Sequence, residues 1–208
     1  MQIRSRKLSL LLLMMLLLAS GGCIFSPDDD GDDNPPPPEP TLPFPDTPDQ
    51  LIANFKTVYT GMDFNAYRDE VLSVNYTFVL QAETVEEFEL SDNIYEYADE
   101  LVIAQKMFSG QPNQNGVVLS TIEIQSLQPQ GSWLDVPAND PYFGGYPGAR
   151  FRNYIIVSYF IAQGGDFRYE VQGNVLFYVT STEEMHEGAL TPRYRLLGQL
   201  DQTAVIQP

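Results

Sequence analysis

TPDQLIANFKTVYTGMDFNAYRDEVLSVNYTFVL, residues Thr47 to Leu80, is the stretch that decides how this chain folds. Thr47 and Gln50 have the spacing of a helix capping box, and Pro48 stands at a first helical position, where its missing N–H costs nothing. Leu51, Ile52, Phe55, Val58, Tyr59 and Met62 then recur at helical spacing and draw one apolar stripe. Gly61 and Asp63 interrupt it. Asp63 suits the N-cap of a short second helix, on which Tyr67, Val71 and Leu72 continue the apolar face. Val74, Tyr76, Phe78 and Leu80 follow at every second residue, which is strand periodicity.

Downstream, a third helix is expected from Ser91 or Asp92 to about Phe108, with Ile94, Tyr95, Ala98, Leu101, Val102 and Phe108 as its buried stripe and Gly110 as its stop. The remainder reads as strands: Val117 to Gln128, Phe151 to Gln163, Tyr169 to Thr180 and Tyr194 to Thr203. Gly164, Gly165 and Asp166 make a tight hairpin that sets the second and third of these antiparallel. Gln128 to Gly148 is read as a long Gly- and Pro-rich connection carrying Trp133, suited to a lid or a partner-facing loop. Helices first and long strands after them give an α+β domain, its helices packed on one face of a curved antiparallel sheet.

Upstream of Thr47 the composition changes twice. Ser26 to Pro48, SPDDDGDDNPPPPEPTLPFPDTP, is too acidic and Pro-rich to bury a core and reads as a spacer with polyproline character. Asp28, Asp30, Asp32 and Glu39 fall at calcium-loop positions, but Asp33 stands where that turn needs Gly, and Pro35 to Pro38 stiffen the approach to Glu39. Before the spacer, Arg4, Arg6 and Lys7 precede an apolar run from Leu10 to Ala19 that is short for a bilayer span, followed by Ser20, Gly21, Gly22 and Cys23. This order, with Leu18 to Cys23 as its processing box, resembles a bacterial lipoprotein signal. The resemblance implies a signal peptide over residues 1–22, acylation of Cys23 and a tether over 23–46 leading to a domain over 47–208. Ile24 after the cysteine points to the outer membrane, with the domain on its periplasmic side or at the surface.

Composition removes several functions. Acids outnumber bases 28 to 11, for a net charge of −17, so the clustered cations that bind nucleic-acid phosphates are missing. One Cys closes no internal disulfide and one His builds no multi-histidine centre; no metal or other cofactor is expected.

The order of elements and several residues resemble the NTF2-like superfamily, the cone-shaped α+β fold that includes SnoaL-like cyclases and ketosteroid isomerases. The resemblance is carried by the helix-starting Thr47-Pro48, Phe55 and Tyr59, Met62-Asp63, Ala66-Tyr67 and the strand at Tyr76 and Phe78. Near the end it is carried by FRYEVQGNVLFYVTST and RYRLLGQLDQT, with a bend at Gly173 and Asp201 closing the domain. It implies an apolar pocket between the helices and the concave sheet face. Tyr59, Tyr67, Tyr76, Phe78, Tyr95, Tyr154 and Tyr178 are candidates to line it, with Trp133 near its mouth; equally, these aromatics serve as core filling.

No Ser/His/Asp order, phosphate-binding loop or metal-ligand spacing appears, so no catalytic residue is assigned. His186 falls in a polar turn. Asp63, Asp69, Glu70 and Asp99 suit caps or exposed helix faces, while Glu123, Glu170 and Arg152 sit in strands as cavity or ion-pair candidates. The leading expectation is a noncatalytic, membrane-anchored envelope lipoprotein that binds a small apolar ligand or an envelope protein, with a homodimer through the convex sheet face as a further association. The alternative is a cyclase, isomerase or dehydratase, whose mark would be a carboxylate at the pocket floor with a raised pKa and a Tyr in hydrogen-bond reach.

Overall fold

Helix α1, Pro48–Gly61, begins where the capping signal lies: in the computed structural model the Thr47 hydroxyl accepts the Gln50 backbone N–H at 3.1 Å. The second half of the box is not made, because the Gln50 side chain donates instead to Asn54 Oδ1 at 2.9 Å. Met62 ends the helix in a left-handed conformation, φ 54°, and Asp63 caps the next turn by accepting the Ala66 N–H at 2.9 Å. That turn is α2, Phe64–Ala66, and it widens into a π-helical turn, Tyr67–Val71, whose two end residues are both buried. The structure describes residues 42–87, 91–112, 116–165 and 168–202. The signal, Cys23 and the acidic run with its calcium-loop spacing lie outside them.

The strands are β1 Leu72–Val79, β2 Ile94–Glu96, β3 Leu119–Asp135, β4 Arg150–Ala162, β5 Arg168–His186 and β6 Ala189–Asp201, with α3 Ala82–Glu87 and α4 Tyr97–Phe108 on either side of β2. They form one sheet in the order β2-β1-β6-β5-β4-β3. The expected antiparallel sheet is mixed at one place: β1 runs parallel to β6, because the helices and four strands between them return the chain to the same side. Register shifts along β3, after Leu119, Ile124 and Gln130, are the irregularities that bend a strand. Pairing of β5 with β4 runs through Gly173 without a register shift, and the shift in the β5–β6 ladder falls between Tyr178 and Val179, where β6 carries the extra residue Leu197.

Alternation along the strands sorts two cores. Tyr154, Ile156 and Phe160 of β4, Phe177 and Val179 of β5 and Leu196 of β6 face α1, the π turn and α4. On the opposite face Val79, Tyr178 and Leu197 are covered by Phe143 and Ala149. Phe143 belongs to the connection between β3 and β4, which begins only after Asp135. Trp133 is therefore a strand residue, and the Gly- and Pro-rich segment covers the far face of the sheet, not the mouth of a pocket.

One further expectation is corrected. Helix α4 starts at Tyr97, not at Ser91 or Asp92, because Glu96 and Asp99 make a reciprocal capping box and Ile94–Glu96 pairs with β1 as a strand. Its buried stripe is Glu100, Ile103, Ala104 and Met107, while Val102 is 44% exposed. Residues just ahead of Thr47 pack on the strands and α1: Pro45 O accepts the Tyr194 N–H, Pro43 O accepts the Asn54 side chain, and Phe44 stacks on His186 with centroids 4.0 Å apart.

Candidate functional site

Between the helices and the sheet lies a cavity of about 30 Å³, lined by Phe55 and Tyr59 of α1, Tyr67 of the π turn, Tyr76 and Phe78 of β1, Glu100 of α4 and inward residues of β3 to β6. This is room for about two water molecules. Most of the space between the layers is filled by rings in tilted and edge-on contact, such as Phe55 with Phe177 and Tyr59 with Tyr67, at 5.3 and 5.6 Å. The packing follows from α1 setting Phe55 and Tyr59 one turn apart above strands whose inward positions are also aromatic.

Glu100 gives the cavity its chemistry. It is 2% exposed, and its Oε1 accepts the Tyr67 hydroxyl at 2.8 Å. Its Oε2 is buried without a hydrogen-bond partner, as is Ser158 Oγ, which lines the same cavity from β4. Burial pushes the Glu100 carboxyl up to about 7, the Tyr67 hydrogen bond opposing the shift. Near neutral pH it therefore exists in both protonation states. Burial first, and then the Glu100 charge, hold the Tyr59, Tyr67 and Tyr76 hydroxyls well above their usual range, so all three stay neutral donors. Tyr59 spends its hydroxyl on Met107 Sδ at 3.9 Å, a weak contact.

Tyr59, Tyr67, Tyr76 and Phe78 are thus brought together around one void, and the other four candidates are not. Tyr95 packs in the same core beside Phe78 without reaching the cavity. Tyr154 is 3% exposed and meets Phe177 edge-on at 5.3 Å, behind the lining. Trp133 packs against Tyr154 at 6.2 Å and donates its indole N–H to Asp49. Tyr178 lies on the opposite face, stacked on Phe143 at 3.9 Å. Among the acids, Asp63 and Asp99 cap helices, Asp69 pairs with Arg68, and Glu70 and Glu184 share Arg193. Glu123 and Glu170 are exposed, and Arg152, its side chain largely buried, binds Asp49 at 2.9 Å. His186 sits on Phe44 at the end of β5.

Glu100 and Ser158 were absent from the expected site. Both carried a signal. Glu100 completes the spacing i, i+3, i+4, i+7 with Ile103, Ala104 and Met107, and Ser158 takes the inward register of Tyr154, Ile156 and Phe160. A polar residue in an apolar stripe is the informative exception.

Among the described residues no group of His, Cys, Asp and Glu is placed to hold a metal, and no helix is long and apolar enough to cross a membrane. No protein-family model matches the chain. No curated protein matches it either. Solved structures do resemble it: a conserved protein from Planctomyces limnophilus, at 6% identity over 75% of this chain and 94% of that one, has a TM-score of 0.44. An NTF2-like superfamily protein from Salmonella enterica, at 9% identity over 76% and 89%, has the same score. The CaMKII hub of S. rosetta, at 12% identity over 79% and 99%, scores 0.43.

Proposed function

We propose that this chain is a lipid-anchored envelope protein whose α+β domain holds a small ligand in the cavity built on Glu100 and Tyr67. One observation carries the ligand-binding part: two buried polar atoms, Glu100 Oε2 and Ser158 Oγ, stand without partners on the same aromatic-lined void. An aromatic core needs neither, and each unpartnered buried atom costs about 1–3 kcal/mol that a guest with matching polar groups offsets. The anchoring part rests on the signal-like order ending at Cys23, with the acidic, Pro-rich stretch as spacer. The test is native mass spectrometry of the full chain extracted in detergent from a bacterial envelope, with a thermal-shift screen of small amphipathic compounds. A bound molecule retained by wild type and lost from Glu100→Gln is expected. A chain free of any guest, with a flat screen, overturns the reading.

A second reading is favoured by the Glu100 carboxyl titrating at about 7 with Tyr67 at 2.8 Å. A carboxyl of that pKa serves as general base or acid at neutral pH, and the Tyr67 hydroxyl, its one proton given to Oε1, holds that carboxyl in place. Deuterium exchange at the methyl group of acetaldehyde in D2O, a probe of three non-hydrogen atoms, tests it: exchange above buffer that disappears in Glu100→Gln supports proton abstraction, and exchange equal to buffer removes it.

A further inference from the structure

We infer that the cavity takes a small alkylammonium ion, its N–H groups held by Glu100 Oε2 and Ser158 Oγ and its carbon atoms enclosed by the surrounding rings; this rests on the ligand-binding reading above. The sign of the guest follows from the lining. Among the described residues that line the cavity there is no Lys, Arg or His, so an anion would meet the Glu100 charge with nothing to offset it. A cation finds the opposite. Glu100 Oε1 is already engaged by Tyr67, which leaves Oε2 as the open acceptor, and Ser158 Oγ offers a second oxygen from the facing strand.

The rest of the lining suits the same charge. Phe55, Tyr59, Tyr67, Tyr76, Phe78 and Phe177 contribute aromatic rings, whose negative faces attract a desolvated cation within about 6 Å. Size sets the class: about 30 Å³ admits about two or three non-hydrogen atoms, the dimensions of methyl- or ethylammonium. Residues 47–208 carry 21 acids against 8 bases, a net charge of −13 that raises the local concentration of cations around the domain.

Binding is linked to pH through Glu100. The groups facing it are Tyr67 from the π turn, Tyr59 from α1 and Tyr76 from β1, all neutral across this range, so the carboxyl alone changes charge. With a pKa of about 7, its ionised fraction, and with it the affinity for a cation, rises about tenfold from pH 6 to pH 8.

The experiment is calorimetric titration of the full chain in detergent with ethylammonium and with ethanol, its neutral counterpart, at pH 6 and pH 8. Expected are ethylammonium binding at least about tenfold tighter than ethanol at pH 8, a similar gain from pH 6 to pH 8 for the cation alone, and loss of that preference in Glu100→Gln. If the variant does not fold, the pH profile of wild type decides. Ethanol binding as well as ethylammonium, with no pH dependence, overturns the cation assignment and leaves the ligand pocket standing. Binding of neither probe, with no guest seen by native mass spectrometry, overturns both and leaves ordered water as the occupant.

Discussion

The Tyr67 hydroxyl donates to Glu100 Oε1 at 2.8 Å and so joins the π turn to α4 across the aromatic core. The carboxyl it holds is otherwise costly to bury, because its second oxygen has no partner. Glu100 titrates at about 7 in the folded chain against 4.5 when unperturbed. Between those values the folded state binds more protons than the unfolded one, so this residue makes stability fall as pH rises from about 4.5 to about 7 and has no further effect above that. The full effect is about 3 kcal/mol. Glu100→Gln should therefore equal wild type in stability near pH 4 and exceed it by several degrees in melting temperature at pH 8. Thermal unfolding at both pH values checks this, and an equal difference at each would refute it.

Tyr67→Phe should act in the opposite direction on stability. It leaves both carboxylate oxygens without a partner at a site that does not admit bulk water, for a cost of about 1–3 kcal/mol. Because the lost hydrogen bond is what holds the Glu100 pKa down, the carboxyl should titrate higher than about 7 in the variant. Carbon-13 NMR of labelled glutamate reads that shift directly. A pKa that stays in place would mean that the hydroxyl does not address the carboxylate in solution.

Much of this architecture is legible in the sequence because local rules and tertiary packing agree over Thr47 to Leu80. Thr47 and Asp63 cap the helices that their spacing announces, and Tyr59, Tyr67, Tyr76 and Phe78 meet because helix and strand periods turn them to one side. Legibility fails where a helix start is misplaced. Placing the start of α4 at Ser91 or Asp92 makes Ala98 and Val102 look buried, and it hides Glu100. The real start at Tyr97 rotates the stripe onto Glu100, Ile103, Ala104 and Met107. Trp133 failed for a different reason: β3 continues through Pro129 and Gly131, residues that usually end a strand, because β3 is an edge strand where a missing donor is tolerated. Tyr178 shows the limit of composition, since its neighbour Phe177 faces the helices and it faces away.

The face opposite the cavity makes its own prediction. Phe143 is 1% exposed and lies over Gly198, where a Cβ would overlap its ring and the Thr77 carbonyl oxygen. Glycine is required there for close approach. Gly198→Ala should destabilise the domain by about 1–3 kcal/mol, and Phe143→Ala by about 3–5 kcal/mol through the cavity it leaves. Combined, the two should cost less than their sum, because removing the ring removes part of the clash. Chemical denaturation of the three variants measures this, and strict additivity would place Phe143 away from Gly198 in solution.

Anchoring can be tested apart from the pocket. If Cys23 carries the acyl chains, Cys23→Ser should abolish incorporation of radiolabelled palmitate and release the protein from the membrane fraction, since several chains hold a protein stably where one is marginal. The variant should keep wild-type binding of ethylammonium, because the cavity lining runs from Phe55 to Gln199 and includes nothing from the tether. Palmitate incorporation that persists in Cys23→Ser, the only cysteine being gone, would rule out thioether lipidation at this position and leave the basic and apolar leader as an ordinary export signal.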